Sequence, residues 1–286
     1  MTYLFTHNDL DGVGCAVIAH LAFPITELAV YYCSYRSVNE EINSLLDQLK
    51  DDSQILISDI SVDEATASRL DKYTVRMFDH HPISVMRPWM TIDTSPTVCG
   101  TSLIAEALLP NMTECVWAFV DAVCMYDTWQ FEKNIGAFPE RLNALHDILG
   151  HRGFVEMVVQ SLSDGDFFTI PPYFEQAISH SFAERERYFE KKEKALITTT
   201  FLGYKTGLVF ADRDVSLMAE YVFQRHPDLD IVAVCYMPTG ISLRTRRNDI
   251  NLTEICRERG GGGHQKASAY YLPGAAAAQV IDIILR

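Results

Sequence analysis

Four short apolar runs in the first 80 residues, at 2–7, 28–34, 54–59 and 74–79, are separated by stretches of helical spacing at 12–23, 38–50 and 63–71. Strands alternating with helices in this way predict a parallel sheet covered by helices. Three of the runs end in side chains that bind divalent metals. His7-Asn8-Asp9-Leu10-Asp11-Gly12 follows Tyr3-Leu4-Phe5, Asp59 follows Ile55-Leu56-Ile57-Ser58, and Asp79-His80-His81 follows the run 73–78. Ligands of an open parallel sheet gather at the carboxyl ends of its strands. The three clusters are therefore expected to converge on one metal centre. Packing gives no reason for three adjacent ligand side chains where a buried strand ends.

The pattern then turns mostly helical from Thr101 to about Leu149, including Glu114 to Tyr126. A second helical region, from about Pro172 to Ile197, ends in a charged run from Glu184 to Lys194 that reads as a solvated face connecting two domains. Beyond residue 200 the spacing predicts short strands at 206–210, 231–236, 241–246 and 267–272. Asn251 is expected to cap a helix that Gly260 stops. The fold class that follows is α/β: an N-terminal parallel-sheet domain with flanking helices and a smaller C-terminal α/β domain, joined by a helical linker. The expected boundaries are 1–185, 186–200 and 201–286.

Charge narrows the function. The net charge is −14, and it is concentrated: 10 basic against 9 acidic residues from Phe201 onward, 14 against 29 before it. Divalent cations would offset part of that excess. Sequence-independent binding to long duplex DNA needs many cationic contacts and is not expected. No apolar run approaches the roughly 18 residues of a membrane span, and Met1 to His7 lacks the basic start of a signal peptide. The seven cysteines are odd in number, form no CxxC pair and are expected to be reduced core residues. A cytoplasmic location is the expectation.

In His7-x-Asp9-x-Asp11 the three ligand types alternate, so an extended chain turns them the same way. Oxygen ligands mixed with imidazole suit manganese better than a thiolate zinc site. Asp121 and Asp127 lie six residues apart on one helix, about 600° of rotation, and so face differently. Asp127 is the better candidate because it precedes Thr128-Trp129, where the helical pattern breaks. Gly260 to Gly263, followed by His264 and Lys266 and preceded by Arg244, Arg246 and Arg247, is expected to bind an anion through backbone N–H groups and guanidinium forks. Val98 to Ser102 either brings N–H and hydroxyl groups to the site or simply caps a helix. His20, His146, His151, His180 and His226 are isolated, and surface or core roles are expected for them.

Taken in order, His7-Asn8-Asp9-Leu10-Asp11-Gly12, Asp59, Asp79-His80-His81-Pro82, Asp127-Thr128-Trp129 and Gly261-Gly262-Gly263-His264 resemble the DHH phosphoesterase family with its smaller DHH-associated C-terminal domain. The resemblance covers nearly the whole chain and is nearest to the nanoRNA-degrading oligoribonucleases. It implies a site for two manganese ions, with magnesium or cobalt as alternatives. His7, Asp9, Asp11, Asp59, His80 and Asp127 would be the ligands, with Asp59 the bridge. Asp79 and His81 would be catalytic, His81 contacting the phosphate and Asp79 orienting its neighbours or ligating metal directly. Arg244, Gly261, Gly262, Gly263 and His264 would hold substrate.

The implied activity is exonucleolytic hydrolysis of short single-stranded oligoribonucleotides. A phosphodiesterase or phosphatase for cyclic nucleotides or 3′,5′-bisphosphonucleosides, and a nucleotide sensor without hydrolysis, are the alternatives. Neither a membrane nor long duplex nucleic acid is an expected partner, and monomer and homodimer are both left open.

Overall fold

Leu4 and Phe5 are adjacent and both fully buried, which a strand permits only if both of its faces are covered. The computed structural model, which describes residues 1–49, 53–131, 136–236, 240–272 and 274, places them in a central strand of this kind. Two compact units make up the chain, Met1–His180 and Ser181–Arg286.

In the first unit β1 (Thr2–His7), α1 (Leu10–Ala22), β2 (Leu28–Cys33), α2 (Val38–Leu46), β3 (Gln54–Ser58), α3 (Glu64–Leu70), β4 (Thr74–Asp79) and β5 (Met90–Ile92) succeed one another. The five strands are parallel in the order β2-β1-β3-β4-β5. Phe5, Ile55, Ile57 and Met77 pack with Val38, Ile42 and Leu46 of α2 and Ala67 and Leu70 of α3. Leu4 and Leu56, of opposite parity, point to the other face of the sheet. There α1 packs with α4 (Gly100–Leu108), α5 (Glu114–Asp127) and α6 (Phe138–Ser163). The helical region expected to end near Leu149 continues further: Gly150, with a φ of 66°, interrupts α6, which then resumes to Ser163.

In the second unit α7 (Glu175–Glu193), which crosses the division, leads to β6 (Ile197–Phe201), β7 (Tyr204–Phe210), α8 (Val215–Arg225), β8 (Ile231–Tyr236), β9 (Gly240–Arg244), α9 (Leu252–Arg257), β10 (Gly262–His264) and β11 (Ala267–Tyr271). The sheet order is β10-β11-β9-β8-β7-β6, and β7 with β8 is its one parallel pair among the described residues. Val209, Val232 and Val234 pack with α8 and with Phe189 of α7. Ile231, Ala233 and Leu243 pack with Leu252 and Cys256 of α9. Asn251 caps α9 as expected, its side chain accepting from the Thr253 N–H, and Gly260 follows in the left-handed region.

Four expectations need correcting. The linker at 186–200 is helical only to Glu193, and from Ile197 it forms β6, paired antiparallel with β7. Its charged run is not simply solvated: Glu186 pairs with Arg225 and Glu193 with His226, and Phe189 is buried beside them. The stretch from Asp9 to Asp11 is not extended. Asp9 accepts from the Gly12 N–H, so the chain is already helical at Leu10 and Asp11 sits in the first turn of α1. Finally, the cysteines are not all free. Cys99 and Cys124 form a disulfide because α4 and α5 bring residues 25 apart in sequence to a Cα separation of 5.2 Å. Cys15, Cys33, Cys115, Cys235 and Cys256 are free and buried. Among the described residues no helix is long and apolar enough to cross a membrane.

A candidate metal centre at the strand ends

The strand order reverses between β1 and β3, and such a switch point opens a crevice at the carboxyl ends of the strands. His7, Asp9 and Asp11 follow β1 there, Asp59 follows β3, and Asp79, His80 and His81 lie at the end of β4. Asp127, the last residue of α5, reaches the same place. Helix α5 stops at that point because Thr128 folds back on the Cys124 carbonyl and Trp129 adopts a φ of 60°. Asp121, the competing carboxylate, is exposed and lies outside the cluster.

Asp59 holds the arrangement together. It is 1 % exposed, and its φ of 58° lies in the left-handed region, a strain of about 1–3 kcal/mol that concentrates at functional sites. Its N–H donates to the Phe78 carbonyl at 2.9 Å, locking the end of β3 to β4. Gly100 packs directly over it: a Cβ there would fall 2.6 Å from the Asp59 Cβ.

The Asp59 carboxylate faces two ways. Oδ2 lies 3.9 Å from His7 Nδ1, which is 2.7 Å from Asp9 Oδ2. Oδ1 lies 3.3 Å from His80 Nε2, and the same nitrogen is 3.4 Å from Asp127 Oδ2 and 3.7 Å from Asp11 Oδ2. Two donor groups thus adjoin one another, His7–Asp9–Asp59 and Asp11–His80–Asp127, with Asp59 beside both, and a third, Asp59–His80–His81, overlaps them. Asp11 is fixed by the N-terminus of α4, accepting from the Gly100 N–H at 2.6 Å and the Thr101 N–H at 2.8 Å. The segment 98–102 therefore serves the site as well as starting a helix. Asp79 accepts from the His81 backbone N–H at 3.1 Å and lies 2.8 Å from His81 Nδ1, so it orients that ring.

The electrostatics show which charge these donors suit. Burial, and then Asp11, Asp9 and Asp127, push the Asp59 carboxyl well above its usual range. Burial followed by Asp11 and Asp9 does the same to Asp127. Asp9 is the exception: the surrounding protein opposes its ionisation, though the side chain is half-exposed, and His7 and the Gly12 N–H outweigh that and hold it at about 2. Burial lowers His80, while His81 is raised despite burial because Asp79 and the surrounding carboxylates favour its charged form. Asp59 Oδ2 and His80 Nε2 are buried without a hydrogen-bond partner among the described residues. Buried polar atoms are seldom left unmatched. Lone pairs from carboxylates and an imidazole converging in this way are the donor set of a hard-to-borderline divalent cation, and the residues present fit one.

Arg244, Gly261, Gly262, Gly263 and His264 lie in the second unit. The glycine run, expected as an open nest, is in part a strand: Gly262–His264 form β10 against β11. A Cβ on Gly261 would meet the Ala269 carbonyl at 2.1 Å, and one on Gly263 the Ala267 carbonyl at 2.6 Å. Missing side chains are what let the two strands approach. Arg246 pairs with Glu220, and Arg247 with Asp230 and Asp249. Arg244 differs, since its hydrogen bonds go to neutral oxygens: Ser242 Oγ, Leu243 O and Ser216 Oγ, at 2.7, 3.0 and 2.7 Å.

Sequence reasoning missed two groups. Tyr35, just beyond the end of β2, has its ring centroid 5.2 Å from that of His7 and 6.0 Å from that of His81. Loss of water and then Asp59, Asp79, Asp9 and Asp127 hold its hydroxyl well above the usual range. The strand-end rule, extended to the fourth parallel strand, would have found it. His146 and His151, expected to be isolated, meet across the Gly150 break with Nε2 and Nδ1 2.8 Å apart. Burial, and then His151, hold His146 down at about 4 from the usual 6.5.

The unfolded chain takes up that proton near pH 6.5, whereas the folded chain resists it until about pH 4. The stability this contributes is whole above pH 6.5 and is lost as pH falls through 4, roughly 3 kcal/mol in all. Urea titrations at pH 7, 5.5 and 4 should show the loss in the wild type and a shallower one in His146→Leu. Equal slopes in the two proteins would show that His146 is not responsible.

No family model matches the chain. It is 30% identical to the oligoribonuclease NrnB of Bacillus subtilis (strain 168) over 288 residues, 94% of this chain and 72% of that protein. Its fold is similar to that of RecJ from Thermus thermophilus, solved with Mn2+, with a TM-score of 0.63 and 14% identity over 97% of this chain and 50% of the other. It is similar also to that of PggH from Vibrio cholerae, a pGpG-specific phosphodiesterase, with a TM-score of 0.58 and 14% identity over 99% and 97% of the two chains. With its motifs in family order and its relative matched along most of both lengths, the chain belongs to the DHH phosphoesterase family, beside the oligoribonuclease NrnB.

Proposed function

We propose that the protein is a manganese-dependent phosphodiesterase that degrades short oligoribonucleotides exonucleolytically to mononucleotides, with two metal ions at the strand-end cluster. The observation that carries this reading is the doubly facing Asp59, with a buried oxygen that no protein group satisfies among the described residues and a donor group on each side. The likeness to an oligoribonuclease over most of the chain supports the substrate class. His7, Asp9 and Asp59 would hold one ion and Asp11, His80 and Asp127 the other, with Asp59 shared. Magnesium or cobalt are the alternatives to manganese. Bound ions of this kind lower the pKa of a water and stabilise the attacking and leaving oxygens of an in-line displacement.

The chain's own residues do the rest. His81, oriented by Asp79, contacts a non-bridging phosphate oxygen. The helix α4 amides fix the Asp11 carboxylate in the cluster. Arg244, with no carboxylate partner among the described residues, binds a substrate phosphate beside His264 and the glycine segment Gly261–Gly263. The cytoplasm is the proposed location.

The test is a panel of di-, tri- and pentaribonucleotides, long RNA, cyclic nucleotides and 3′,5′-bisphosphonucleosides, with manganese and with EDTA. Mononucleotides should appear from the short oligoribonucleotides, and EDTA should abolish them. Turnover confined to the bisphosphonucleosides or cyclic nucleotides would replace this reading with that of a small-molecule phosphoesterase. Binding without any turnover would replace it with that of a sensor.

Arg244→Ala should keep its fold and metal content yet lose about ten- to a hundredfold in kcat/KM on a dinucleotide, the worth of one charge-assisted hydrogen bond. Arg246→Ala, which removes a cation already paired with Glu220, should lose far less. Similar losses in both variants would remove Arg244 from the substrate site.

A further inference from the structure

Tyr35 is a large aromatic side chain beside the donor cluster, and the roles proposed above leave it without a task. It is 48 % exposed, although its ring touches the rings of His7 and His81. The His7 ring is tilted 50° to it, and the His81 ring meets it nearly edge-on at 86°. It does not belong to the apolar cluster beneath β1 to β4, which takes in Tyr3, Tyr31, Tyr73 and Trp89 instead. Packing in that cluster therefore does not account for it. Two imidazoles brace the ring, and much of its surface is left to solvent.

The surroundings narrow what that surface can bind. Tyr35 brings no cationic group with which to hold an anion. What it offers is a π face, and every nucleobase has one to match, whatever its identity. A ribose separates a nucleobase from the phosphate it bears by one sugar ring. A ring packed edge-on against His81 stands at that remove from a phosphate that His81 contacts.

We infer that Tyr35 is the stacking platform for the nucleobase next to the scissile phosphodiester, a positioning residue that makes the site selective for nucleotidyl substrates without reading base sequence. The inference rests on the proposed function. It explains how one site accepts any short oligoribonucleotide while favouring diesters that carry bases. Stacking of one base raises affinity by about 5- to 100-fold. Tyr35 thus contributes to KM, and the metal cluster and His81 to kcat.

The experiment compares wild type, Tyr35→Phe and Tyr35→Ala, each loaded with manganese, on a diribonucleotide and on the same diester built from two abasic sugars. Tyr35→Ala should raise KM for the diribonucleotide by about 5- to 100-fold, and Tyr35→Phe should restore it. On the abasic diester the gap between wild type and Tyr35→Ala should close, because the two changes remove the same contact. If Tyr35 only braces His7 and His81, Tyr35→Ala lowers kcat on both diesters alike, and the inference is overturned.

A second measurement separates this outcome from failure of the proposed function. Fluorescence of 2-aminopurine riboside monophosphate should be quenched by wild type and Tyr35→Phe but not by Tyr35→Ala. A wild type that cleaves no diribonucleotide sinks the functional reading, and the quenching still decides Tyr35. Equal quenching by all three proteins overturns the platform.

Discussion

Asp59→Ala is expected to lower turnover of a short oligoribonucleotide by on the order of a thousandfold or more, about 4 kcal/mol of transition-state stabilisation. Its two carboxylate oxygens lie within 4 Å of His7 on one side and His80 on the other, so it adjoins both donor groups. No neighbour replaces it, because Gly100 occupies the space above it and the left-handed backbone aims its carboxylate. Metal analysis of the purified variant should show less than half of the wild-type content. A misfolded variant would give the same loss of activity, so a second readout is needed. In the metal-free protein Asp59 is a buried carboxyl crowded by Asp11, Asp9 and Asp127. Its removal relieves that repulsion, and metal-free Asp59→Ala should unfold no earlier than metal-free wild type. Manganese should then raise the wild-type Tm and leave the variant's nearly unchanged, as linkage requires of a ligand that binds only the intact site. Full hydrolysis by the variant would end the two-metal proposal.

The adjacent histidines should separate into two phenotypes. His80 is 8 % exposed, and its Nε2 lies 3.3 to 3.7 Å from three carboxylates without a hydrogen bond of its own among the described residues. His80→Ala should therefore lose metal and activity together. His81 is held by Asp79 through both its backbone N–H and Nδ1. His81→Ala should keep most of its metal and lose about a hundred- to a thousandfold in kcat, the cost of removing one preorganised donor to developing charge. Asp79→Asn should reproduce a weakened form of the His81 defect, since it acts through that ring. Equal metal loss in His80→Ala and His81→Ala would show that both are ligands.

Much of the first unit was legible because its signals are local. The strands predicted at 2–7, 28–34, 54–59 and 74–79 are observed at Thr2–His7, Leu28–Cys33, Gln54–Ser58 and Thr74–Asp79. Apolar runs bounded by caps and turns need no distant partner to be recognised. Elements whose formation depends on a partner were not legible. The three residues of β5 are too few to show a period and form a strand only because β4 offers an edge. Strand β6, read as the end of a helical linker, exists because β7 pairs with it. Helix α8 went unread, and its packing face is completed by Val209, Val232 and Val234 from two strands.

By itself the sequence determined the parallel α/β start, the strand ends at which His7, Asp9, Asp59, Asp79, His80 and His81 stand, and the cap at Asn251. Each follows from a period or a turn chemistry that operates over a few residues. Only the tertiary structure decided which side chains share a site and which neutralise one another. It brought Asp127 rather than Asp121 to the cluster, since the end of α5 and not its exposed face meets the sheet. It joined Cys99 to Cys124 and set His146 against His151 across a break in one helix. It left Arg244 among neutral oxygens while Arg246 and Arg247 found carboxylates, and it stood Tyr35 beside the donor cluster. Charge pairing and ring contacts reach only a few ångströms, so they depend on strand order and register, which bring together residues that are far apart along the chain.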